Sequence, residues 1–448
     1  MSRRQVAGDS VEERVGQGYG SQTKLRVAPR HVQLLHEVVV TGVGVILPNC
    51  DTRETFWQQL RDGESQMRIE PDPADGIPSA IGRVRDFDCA RYMEGVAPQR
   101  YQSLHREQQL YLASVVQACR DAGLPLEGFA STRTGLFDGT SRGNFAYWYD
   151  LIHHRVHEPN SRYSPRDLNL AMPGQAVGLA AAILGVQGPT FTFNNSCASG
   201  VVAIGNAFRE LQAGRIDVAF GTGHDAALIA PLYQMYRDAG LVSNEGEHPE
   251  LAIRPYAGSS ANAFGEGAIT LVLERREHAE ARGATPLATV VAFRHGNGGE
   301  HPTDVDFTGA RPAELIQHSL EEAQLHSDQV DFVLGHGNGV QASDISELNY
   351  MKRVFGRRTR EVPLISTKPI YGHTLGASSA LNVATAALML HNDYVVPTVR
   401  LDEKRIVHGF NHQANRGMAR KLESGFVVAY GIGGQNATML MRKATERS

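Results

Sequence analysis

The sequence has few of the features that mark metal-binding, disulfide-rich or membrane proteins. It contains 448 residues but only four cysteines and two tryptophans. The cysteines, at positions 50, 89, 119 and 197, form no CxxC pair, so neither metal-ligand spacing nor a disulfide framework is expected. Reduced thiols of this kind fit a cytosolic enzyme. No apolar run approaches the roughly 20 residues that a membrane-spanning helix needs.

Net charge is also small. A formal charge of −4 gives no electrostatic reason to expect binding to nucleic acid or to an anionic membrane. A hydrophobic content of 42% with 21% charged residues predicts a soluble globular protein with a sizeable core. Residues 1–30 are polar and contain no apolar stretch, which argues against a secretory signal. We therefore expect a cytoplasmic protein whose residues 1–36 form a disordered or loosely attached extension.

Predicted strands and helices alternate along the rest of the chain, and the pattern occurs twice. This alternation predicts α/β layers, and no Pro/Ser-rich linker interrupts it. We expect two similar halves, residues 37–285 and 286–444, that share one core. The first half has predicted strands at 38–44, 134–137, 218–223 and 268–274 and helices at 52–61, 106–122 and 175–184. The second has strands at 287–293, 330–334, 364–367, 425–430 and 436–441 and helices at 311–323, 345–354 and 376–390.

Cys197 is the strongest single candidate for a reactive residue. It lies in residues 193–200 (FNNSCASG), between a β-like run and a helical pattern. A helix N-terminus offers unpaired N–H groups and a positive dipole end, which favour the thiolate. The small residues that follow leave room for a bulky acyl group. The alternative is a buried structural cysteine, because free cysteine is among the most buried residue types.

Three glycine-flanked segments in the second half carry further candidates. They are residues 335–339 (GHGNG), 368–377 (KPIYGHTLGA) and 430–437 (YGIGGQNA). Taken singly each is weak, because a loop histidine is usually solvated or packed and a glycine-rich turn is usually a hairpin. A phosphate cradle is not indicated, since the chain has neither GxxxxGK[ST] nor a strand–GxGxxG–helix unit.

Together and in this order, these segments resemble the β-ketoacyl synthases, the condensing enzymes of fatty-acid and polyketide synthesis. The resemblance runs from about residue 38 to about residue 442 and includes RPY at 254–256 and GEGA at 265–268. It implies a thiolase-like αβαβα sandwich of two pseudo-duplicated halves, each with a mixed five-stranded sheet. Cys197 matches the family nucleophile, His336 the histidine of its HGTGT-like motif, and Lys368 and His373 its KxxxGHxxGA motif.

The resemblance also implies roles for these residues. Cys197 would accept an acyl group from the phosphopantetheine arm of an acyl carrier protein, and its own N–H and that of Ile432 would form the oxyanion hole. His336 and His373 would act on a malonyl-type extender that decarboxylates and condenses with the acyl group. Lys368 would hold charge near His373, with a salt-bridge role as an alternative. The implied support residues are Glu266, Asp344 and Glu347, and the implied pocket residues are Asn338, Val340, His301, Thr303, Gly433 and Gln435.

Several positions around the pocket depart from the family pattern. The gatekeeping aromatic is Ile432, the threonine that follows it is Gln435, and the threonines after the first histidine are Asn338 and Val340. These changes favour a specialised natural-product enzyme. They also leave open a ketosynthase-like cyclase that closes a ring within one carrier-bound chain. A non-catalytic scaffold is disfavoured by the intact Cys/His/His set, a chain-length-factor subunit by the presence of Cys197, and a thiolase by the absence of a second cysteine near the C-terminal turn.

We therefore predict an acyltransferase of the β-ketoacyl synthase type that needs no bound metal or cofactor. Its predicted partner is an acyl carrier protein. A homodimer is expected, with a ketosynthase-like partner subunit as the alternative. Residues 141–145 and the strand before Cys197 would then lie near the dimer interface.

Overall fold

The computed structural model describes residues 35–126, 129, 131–258, 260–299 and 305–445. Residues 1–34 of the predicted extension lie outside that part of the chain, and so do His301 and Thr303 of the predicted pocket. None of the described helices is long and apolar enough to cross a membrane.

The described elements alternate as the sequence pattern predicts. The strands are β1 (Val38–Ile46), β2 (Arg68–Pro71), β3 (Pro78–Ile81), β4 (Thr134–Thr140), β5 (Thr190–Phe193), β6 (Val218–Asp225), β7 (Gly267–Arg275), β8 (Ala288–Asn297), β9 (Phe332–Leu334), β10 (Leu364–Ile365), β11 (Tyr394–Val395), β12 (Met418–Ala419), β13 (Ser424–Gly431) and β14 (Gln435–Lys443).

The helices are α1 (Arg53–Asp62), α2 (Arg106–Asp121), α3 (Phe145–His157), α4 (Pro165–Leu170), α5 (Gln175–Leu184), α6 (Ser199–Gln212), α7 (Ala230–Asp238), α8 (Arg276–Ala281), α9 (Ala310–Glu322), α10 (Gln341–Phe355), α11 (Lys368–Tyr371) and α12 (Gly376–Asn392). Short 3₁₀ helices lie at Cys89–Arg91, Pro98–Arg100, Pro249–Leu251, Ser327–Gln329 and Gly356–Arg360.

Ten strands form one mixed sheet in the order β5-β4-β6-β7-β1-β8-β14-β13-β9-β10. In the first half β5, β4 and β6 are parallel, and β7 and β1 follow antiparallel. The second half repeats this arrangement with β10, β9 and β13 parallel and β14 and β8 antiparallel. The predicted pair of five-stranded sheets is thus confirmed, and the two are joined edge to edge where β1 pairs with β8 over three residues. The boundaries 37–285 and 286–444 stay a prediction.

Helices on both sides of the strands build the predicted layers. The central layer is α6 against α12, while α2 and α5 cover the first half and α9 and α10 the second. The two central helices approach closely because small residues line their contact. A Cβ added at Gly200 on α6 would lie 2.8 Å from Ala380 Cβ on α12. This contact brings the loop before α6 and the loop before α12, which come from different halves, to the same place.

Most predicted elements are confirmed, and a few were missed. The predicted helix at 175–184 is α5, and that at 106–122 is α2. Helices α3, α4, α7, α8 and α11, the β2–β3 hairpin and the β11–β12 pair were not predicted. Helix α3 carries Trp148, Ile152 and Val156 at helical spacing, but all three side chains are exposed and lie outside the core.

Candidate active site

Cys197 lies in the tight turn that joins β5 to α6. Ser196, just before it, has a left-handed backbone conformation with φ of 54°. The hydroxyl of Ser199, at the first turn of α6, accepts the Asn195 N–H at 2.8 Å and donates to the Ser196 carbonyl at 2.6 Å. These bonds fix the turn, so the buried thiol is held two residues before the helix begins.

The surroundings of the thiol act on its pKa in two directions. Burial raises the pKa of the Cys197 thiol, while the Ser196 hydroxyl and the charges of Lys368 and Arg142 lower it. Loss of solvent thus outweighs the favourable charges, and the predicted contribution of the helix N-terminus to the thiolate stays a prediction. The thiol needs a base to become a nucleophile.

Two histidines from the second half face the same cavity as the thiol. His336 follows β9, and Glu347 on α10 fixes its backbone by accepting the N–H groups of His336 and Gly337, each at 2.6 Å. His373 precedes α12, and its Nδ1 lies 2.8 Å from the Ser378 hydroxyl oxygen. The two rings are 5.4 Å apart and nearly perpendicular, at 89°.

Both imidazoles are held in the neutral form. Burial, and next the charge of Lys368, lowers the pKa of each ring well below its usual value. A neutral imidazole has one nitrogen that accepts and one that donates. Each ring can therefore take a proton from a thiol or donate a hydrogen bond to a developing oxyanion.

Lys368 contacts the first histidine rather than a carboxylate at close range. Its ammonium donates a hydrogen bond to the main-chain carbonyl of His336. Burial lowers the pKa of Lys368 to about 8, against the opposing charges of Glu347, Cys197 and Asp344. Among the described residues, Glu266 binds the guanidinium of Arg106 and the Val84 N–H, and its role as a support residue stays a prediction. Arg106 reaches Glu266 from α2, which the sequence did not indicate.

The other two acidic support residues act on Lys368 through their charges, which raise its pKa against the larger effect of burial. Glu347 also accepts the Tyr256 hydroxyl at 2.7 Å. Asp344 accepts the Tyr256 N–H at 2.8 Å, and burial raises its pKa to about 7. Both carboxylates lie on α10 and hold the loops around His336 in place.

The thiol and both histidines line one cavity of about 370 Å³. Of the predicted pocket and oxyanion residues, Asn338, Val340 and Ile432 also line it. The remaining walls are mostly apolar and include Leu241, Phe264, Val305, Phe307, Ala342, Leu375 and Gly431, with Tyr236, Ala239, Asn262, Ser343 and Tyr430. A largely apolar cavity with a few convergent polar groups is typical of a small-molecule site.

The turn between β13 and β14 packs directly against the loop that carries Cys197. A Cβ at Gly431 would lie 2.5 Å from the Asn195 carbonyl oxygen, so only glycine permits this approach. Gln435 accepts from the Asn195 amide at 3.1 Å, and the Gly433 carbonyl accepts from the Asn297 amide at 2.6 Å. In the part of the chain that the structure describes, neither Gln435 nor Gly433 lines the cavity. Both residues shape the turn in this structure, and their role in the pocket stays a prediction.

The described residues contain no group of three or more His, Cys, Asp or Glu side chains that could hold a metal ion.

Comparison with known proteins matches the sequence to one family. Residues 35–279 match the model of the β-ketoacyl synthase N-terminal domain, and residues 287–402 that of its C-terminal domain. The chain belongs to the β-ketoacyl synthase family. It is 31% identical to a putative polyketide β-ketoacyl synthase 1 of Streptomyces halstedii, over 90% of this chain and 97% of that protein. It is 29% identical to the 3-oxoacyl-[acyl-carrier-protein] synthase 2 of Vibrio harveyi, over 91% and 99%.

Solved structures of β-ketoacyl synthases share the fold. One from Burkholderia phymatum superposes with a TM-score of 0.83 at 24% identity, covering 92% of this chain and all of that one. A ketosynthase of a type II polyketide synthase, solved in complex with its acyl-carrier protein, superposes with a TM-score of 0.80 at 23% identity and the same coverage.

Sequence patterns did not identify three residues that surround the candidate site of this β-ketoacyl synthase. Ser378 sets the ring of His373, Tyr236 lines the cavity, and Arg142 binds the Tyr236 hydroxyl. Tyr236 lies on α7, whose buried side chains include Tyr233 three residues earlier. That helical spacing was the available signal. Arg142 lies in the segment 141–145 that was expected near the dimer interface, and nothing in that segment indicated a contact with Tyr236.

Proposed function

We propose that this β-ketoacyl synthase carries an acyl group on Cys197 and extends it by decarboxylative Claisen condensation. The observation that carries the proposal is that one apolar cavity is lined by the thiol of Cys197 at the start of α6 and by the neutral imidazoles of His336 and His373. The three come from different halves of the fold, and the close contact of α6 with α12 brings them together.

The first half-reaction is acyl transfer. The Cys197 sulfur attacks the carbonyl of an acyl thioester and gives its proton to a neutral imidazole, for which His373 is the candidate. The pantetheine sulfur leaves and takes up the proton from the imidazole. The carrier thioester and the Cys197 thiol are thus consumed, and a Cys197 thioester and a free pantetheine thiol are formed. Main-chain N–H groups of Cys197 and Ile432 would stabilise the oxyanion.

The second half-reaction forms the carbon–carbon bond. A malonyl-type thioester loses carbon dioxide, and hydrogen bonds donated by His336 and His373 stabilise the resulting enolate. The enolate carbon attacks the acyl carbonyl, and the Cys197 thiolate leaves. Lys368 maintains the position of His336 through its main-chain carbonyl.

A ring-closing reaction is the second candidate, and the environment of Asn338 favours it. The Asn338 amide nitrogen lies 3.2 Å from His336 Nε2, and its oxygen accepts from the Val340 N–H and the Ser343 hydroxyl. The side chain is thus engaged with the protein, in the position where the family resemblance implies a hydroxyl that contacts the pantetheine arm. A cyclase would need no extender at this position.

Intact-protein mass spectrometry separates these reactions. Wild type, Cys197→Ala and Cys89→Ala would be mixed with an acyl thioester of a phosphopantetheinylated carrier protein, with and without its malonyl form. Cys89 is the matched control, because burial raises the pKa of this thiol to about 12. Acyl mass on wild type and Cys89→Ala, discharged as a product two carbons longer, supports the synthase. Discharge as a ring without malonyl carrier supports the cyclase, and no adduct refutes both.

We further propose that a second copy of the chain covers the face formed by α3, α4 and β5. Strand β5 is an edge strand with an exposed Phe191. Trp148, Ile152, Leu168 and Met172 are exposed beside it on or just after α3 and α4. Such an apolar face next to an open edge would otherwise invite aggregation.

The oligomeric state tests this dimer. Phe191→Lys with Trp148→Lys should give a monomer by light scattering, while Ile77→Lys, which removes a similarly exposed side chain near the β2–β3 hairpin, should leave the dimer intact. A dimer that survives the double substitution would place the interface elsewhere.

A further inference from the structure

His373 has two roles in the reaction proposed above. It takes the proton of the Cys197 thiol during acyl transfer and donates a hydrogen bond to the enolate oxygen during condensation. A neutral imidazole carries one N–H proton, so one ring nitrogen accepts and the other donates. The nitrogen that faces the cavity must therefore be bare in the first half-reaction and protonated in the second. Whether the ring can change in this way depends on the partner of its other nitrogen.

That partner is a pair of buried hydroxyl groups. The Ser378 hydroxyl oxygen on α12 lies 2.8 Å from His373 Nδ1, and the Thr374 hydroxyl oxygen lies 3.1 Å from that of Ser378. Both side chains are buried. Because Nδ1 points to α12, Nε2 is the nitrogen that the ring presents to the cavity it lines with Cys197.

A hydroxyl group serves either protonation pattern of the ring, because it rotates and can both donate and accept. With the proton on Nδ1, the Ser378 oxygen accepts it, and the Ser378 hydrogen turns to the Thr374 oxygen. With the proton on Nε2, Ser378 donates to the bare Nδ1 and accepts from the Thr374 hydroxyl. The two arrangements differ only in hydrogen positions, so both tautomers of His373 are satisfied without movement of a heavy atom.

His336 lacks this freedom. The Asn338 amide oxygen accepts the Val340 N–H at 3.0 Å and the Ser343 hydroxyl at 2.6 Å. The amide nitrogen, which can only donate, therefore faces His336 Nε2, at 3.2 Å. Nε2 of His336 accepts this bond, which keeps the proton of that ring on Nδ1. Of His336 and His373, only the second has a partner that permits both tautomers.

We propose that Ser378, together with Thr374, allows His373 to change tautomer between the two half-reactions, so that one imidazole is first the base for the Cys197 thiol and then the donor to the enolate oxygen. The inference rests on the proposed function and makes Ser378 a positioning residue of that reaction. Between the half-reactions the carrier protein leaves and water enters the cavity. Nε2 then takes a proton from water, and the Nδ1 proton returns to water through the hydroxyl pair, so the ring stays neutral and no proton is gained or lost.

The substitution Ser378→Ala separates the two roles of His373. Nδ1 then faces a methyl group, and because a buried N–H without an acceptor is less tolerated than a bare acceptor, the proton stays on Nε2. Acyl transfer to Cys197 should slow at least about tenfold, since the base is lost. Discharge of the acyl-enzyme, prepared by long incubation, by a malonyl thioester of pantetheine should stay within about threefold of wild type, since the donor is kept.

Both rates are followed by intact-protein mass in single turnovers. Ser378→Thr keeps the hydroxyl and should restore acyl transfer. Thr385→Val is the matched control, because Thr385 is another buried hydroxyl on α12 and donates to the Leu381 carbonyl at 2.8 Å; it should leave both rates unchanged. Equal loss of the two rates in Ser378→Ala would show a merely structural role, and no loss would show that the hydroxyl is not needed. Either result would overturn the inference.

The ¹⁵N NMR spectrum of the histidine rings tests the tautomers independently of activity. The signals of His373 are assigned by their loss in His373→Gln. In wild type both of its ring nitrogens should lie at positions averaged between protonated and bare, whereas Ser378→Ala should show a protonated Nε2 and a bare Nδ1. A single fixed tautomer in wild type would overturn the inference. If wild type formed no acyl adduct, the proposed function would fail, and this spectrum would still decide whether Ser378 controls the tautomer.

Discussion

The ammonium of Lys368 donates a hydrogen bond to the main-chain carbonyl oxygen of His336. A buried cation thereby lies beside the first histidine, and its charge acts on three groups at once. It lowers the pKa of Cys197 against the larger effect of burial, and it adds to burial in lowering the pKa of His336 and His373. Lys368 therefore links the protonation states of the nucleophile and of its candidate bases.

Removal of this charge should slow the alkylation of Cys197. In Lys368→Met the thiol pKa rises, so less thiolate is present at neutral pH, and a tenfold smaller thiolate fraction lowers the rate about tenfold. The measurement is the pH dependence of iodoacetamide labelling, followed by mass. Lys368→Arg should keep most of the rate, and Lys352→Met, an exposed lysine near Phe410, should match wild type. An unchanged pH profile in Lys368→Met would show that the charge does not act on the thiol.

Loss of the Glu347 charge should destabilise the loop that carries His336. Glu347 is fully buried and accepts from the His336 and Gly337 N–H groups and from the Tyr256 and Tyr350 hydroxyls. Glutamine cannot accept from all four donors, because one of its two terminal atoms is itself a donor. Glu347→Gln should therefore lower the free energy of unfolding by about 2–4 kcal/mol.

Urea denaturation measures this effect, and Glu361→Gln is its control. Glu361 pairs with Arg358 at the surface and has 66% of its side chain exposed, so its substitution should change the free energy of unfolding by less than about 0.5 kcal/mol. Equal effects of the two substitutions would show that the bonds of Glu347 contribute little to stability.

Much of the fold and the identity of the central side chains could be predicted from sequence. The alternation of buried strands with small-residue helices such as α12 indicates the layers directly. The order of Cys197, His336, Lys368 and His373 indicates the family, because the segments that carry these residues resemble the family's motifs and occur in the same order. The environment of the thiol could not be predicted, because burial depends on how both halves close over the loop.

The partners of the charged side chains were also beyond sequence reasoning. Glu266 binds Arg106 from α2, which is 160 residues away along the chain. Arg142 reaches Tyr236 on α7 over 94 residues. Such pairs depend on tertiary approach and not on local spacing, so neither periodicity nor a motif indicates them.

Asp344 should make stability depend on pH between about 4 and 7. Burial raises its pKa from 3.8 to about 7, with the nearby charge of Glu347 acting in the same direction and the Tyr256 N–H and Lys368 opposing it. The folded protein then holds a proton that the unfolded chain releases, so this group's contribution is full below pH 4 and is lost as pH rises to 7. The loss is about 1.4 kcal/mol per pH unit within that window.

Asp344→Asn removes this titration. Between pH 5 and pH 7 the free energy of unfolding of wild type should fall relative to that of Asp344→Asn, by about 1.4 kcal/mol per pH unit at most. Asp402→Asn changes an exposed carboxylate. Its free energy of unfolding should depend on pH in the same way as that of wild type. Parallel curves for Asp344→Asn as well would mean that Asp344 is ionised in the folded protein across this range.

Gly431 should be required for acyl transfer because it allows the β13–β14 turn to touch the nucleophile loop. An alanine Cβ there would lie 2.5 Å from the Asn195 carbonyl oxygen and 3.1 Å from Ser196 Cβ, so the turn must move away. Ile432 follows directly, and its N–H would move away from the thioester carbonyl. Removal of one oxyanion donor typically costs about a hundredfold or more, so a partial displacement should slow acylation of Cys197 by at least about tenfold.

The matched control for Gly431→Ala is Gly178→Ala in the middle of α5. Gly178 is exposed, and the nearest atom that its Cβ would meet is a flexible glutamine oxygen at 3.9 Å. Because alanine favours the helix, this substitution should leave acylation unchanged and stabilise the protein by about 0.5–1 kcal/mol. If Gly431→Ala kept the full acylation rate, the turn could shift without any effect on acyl transfer. The N–H of Ile432 would then not be part of the oxyanion hole.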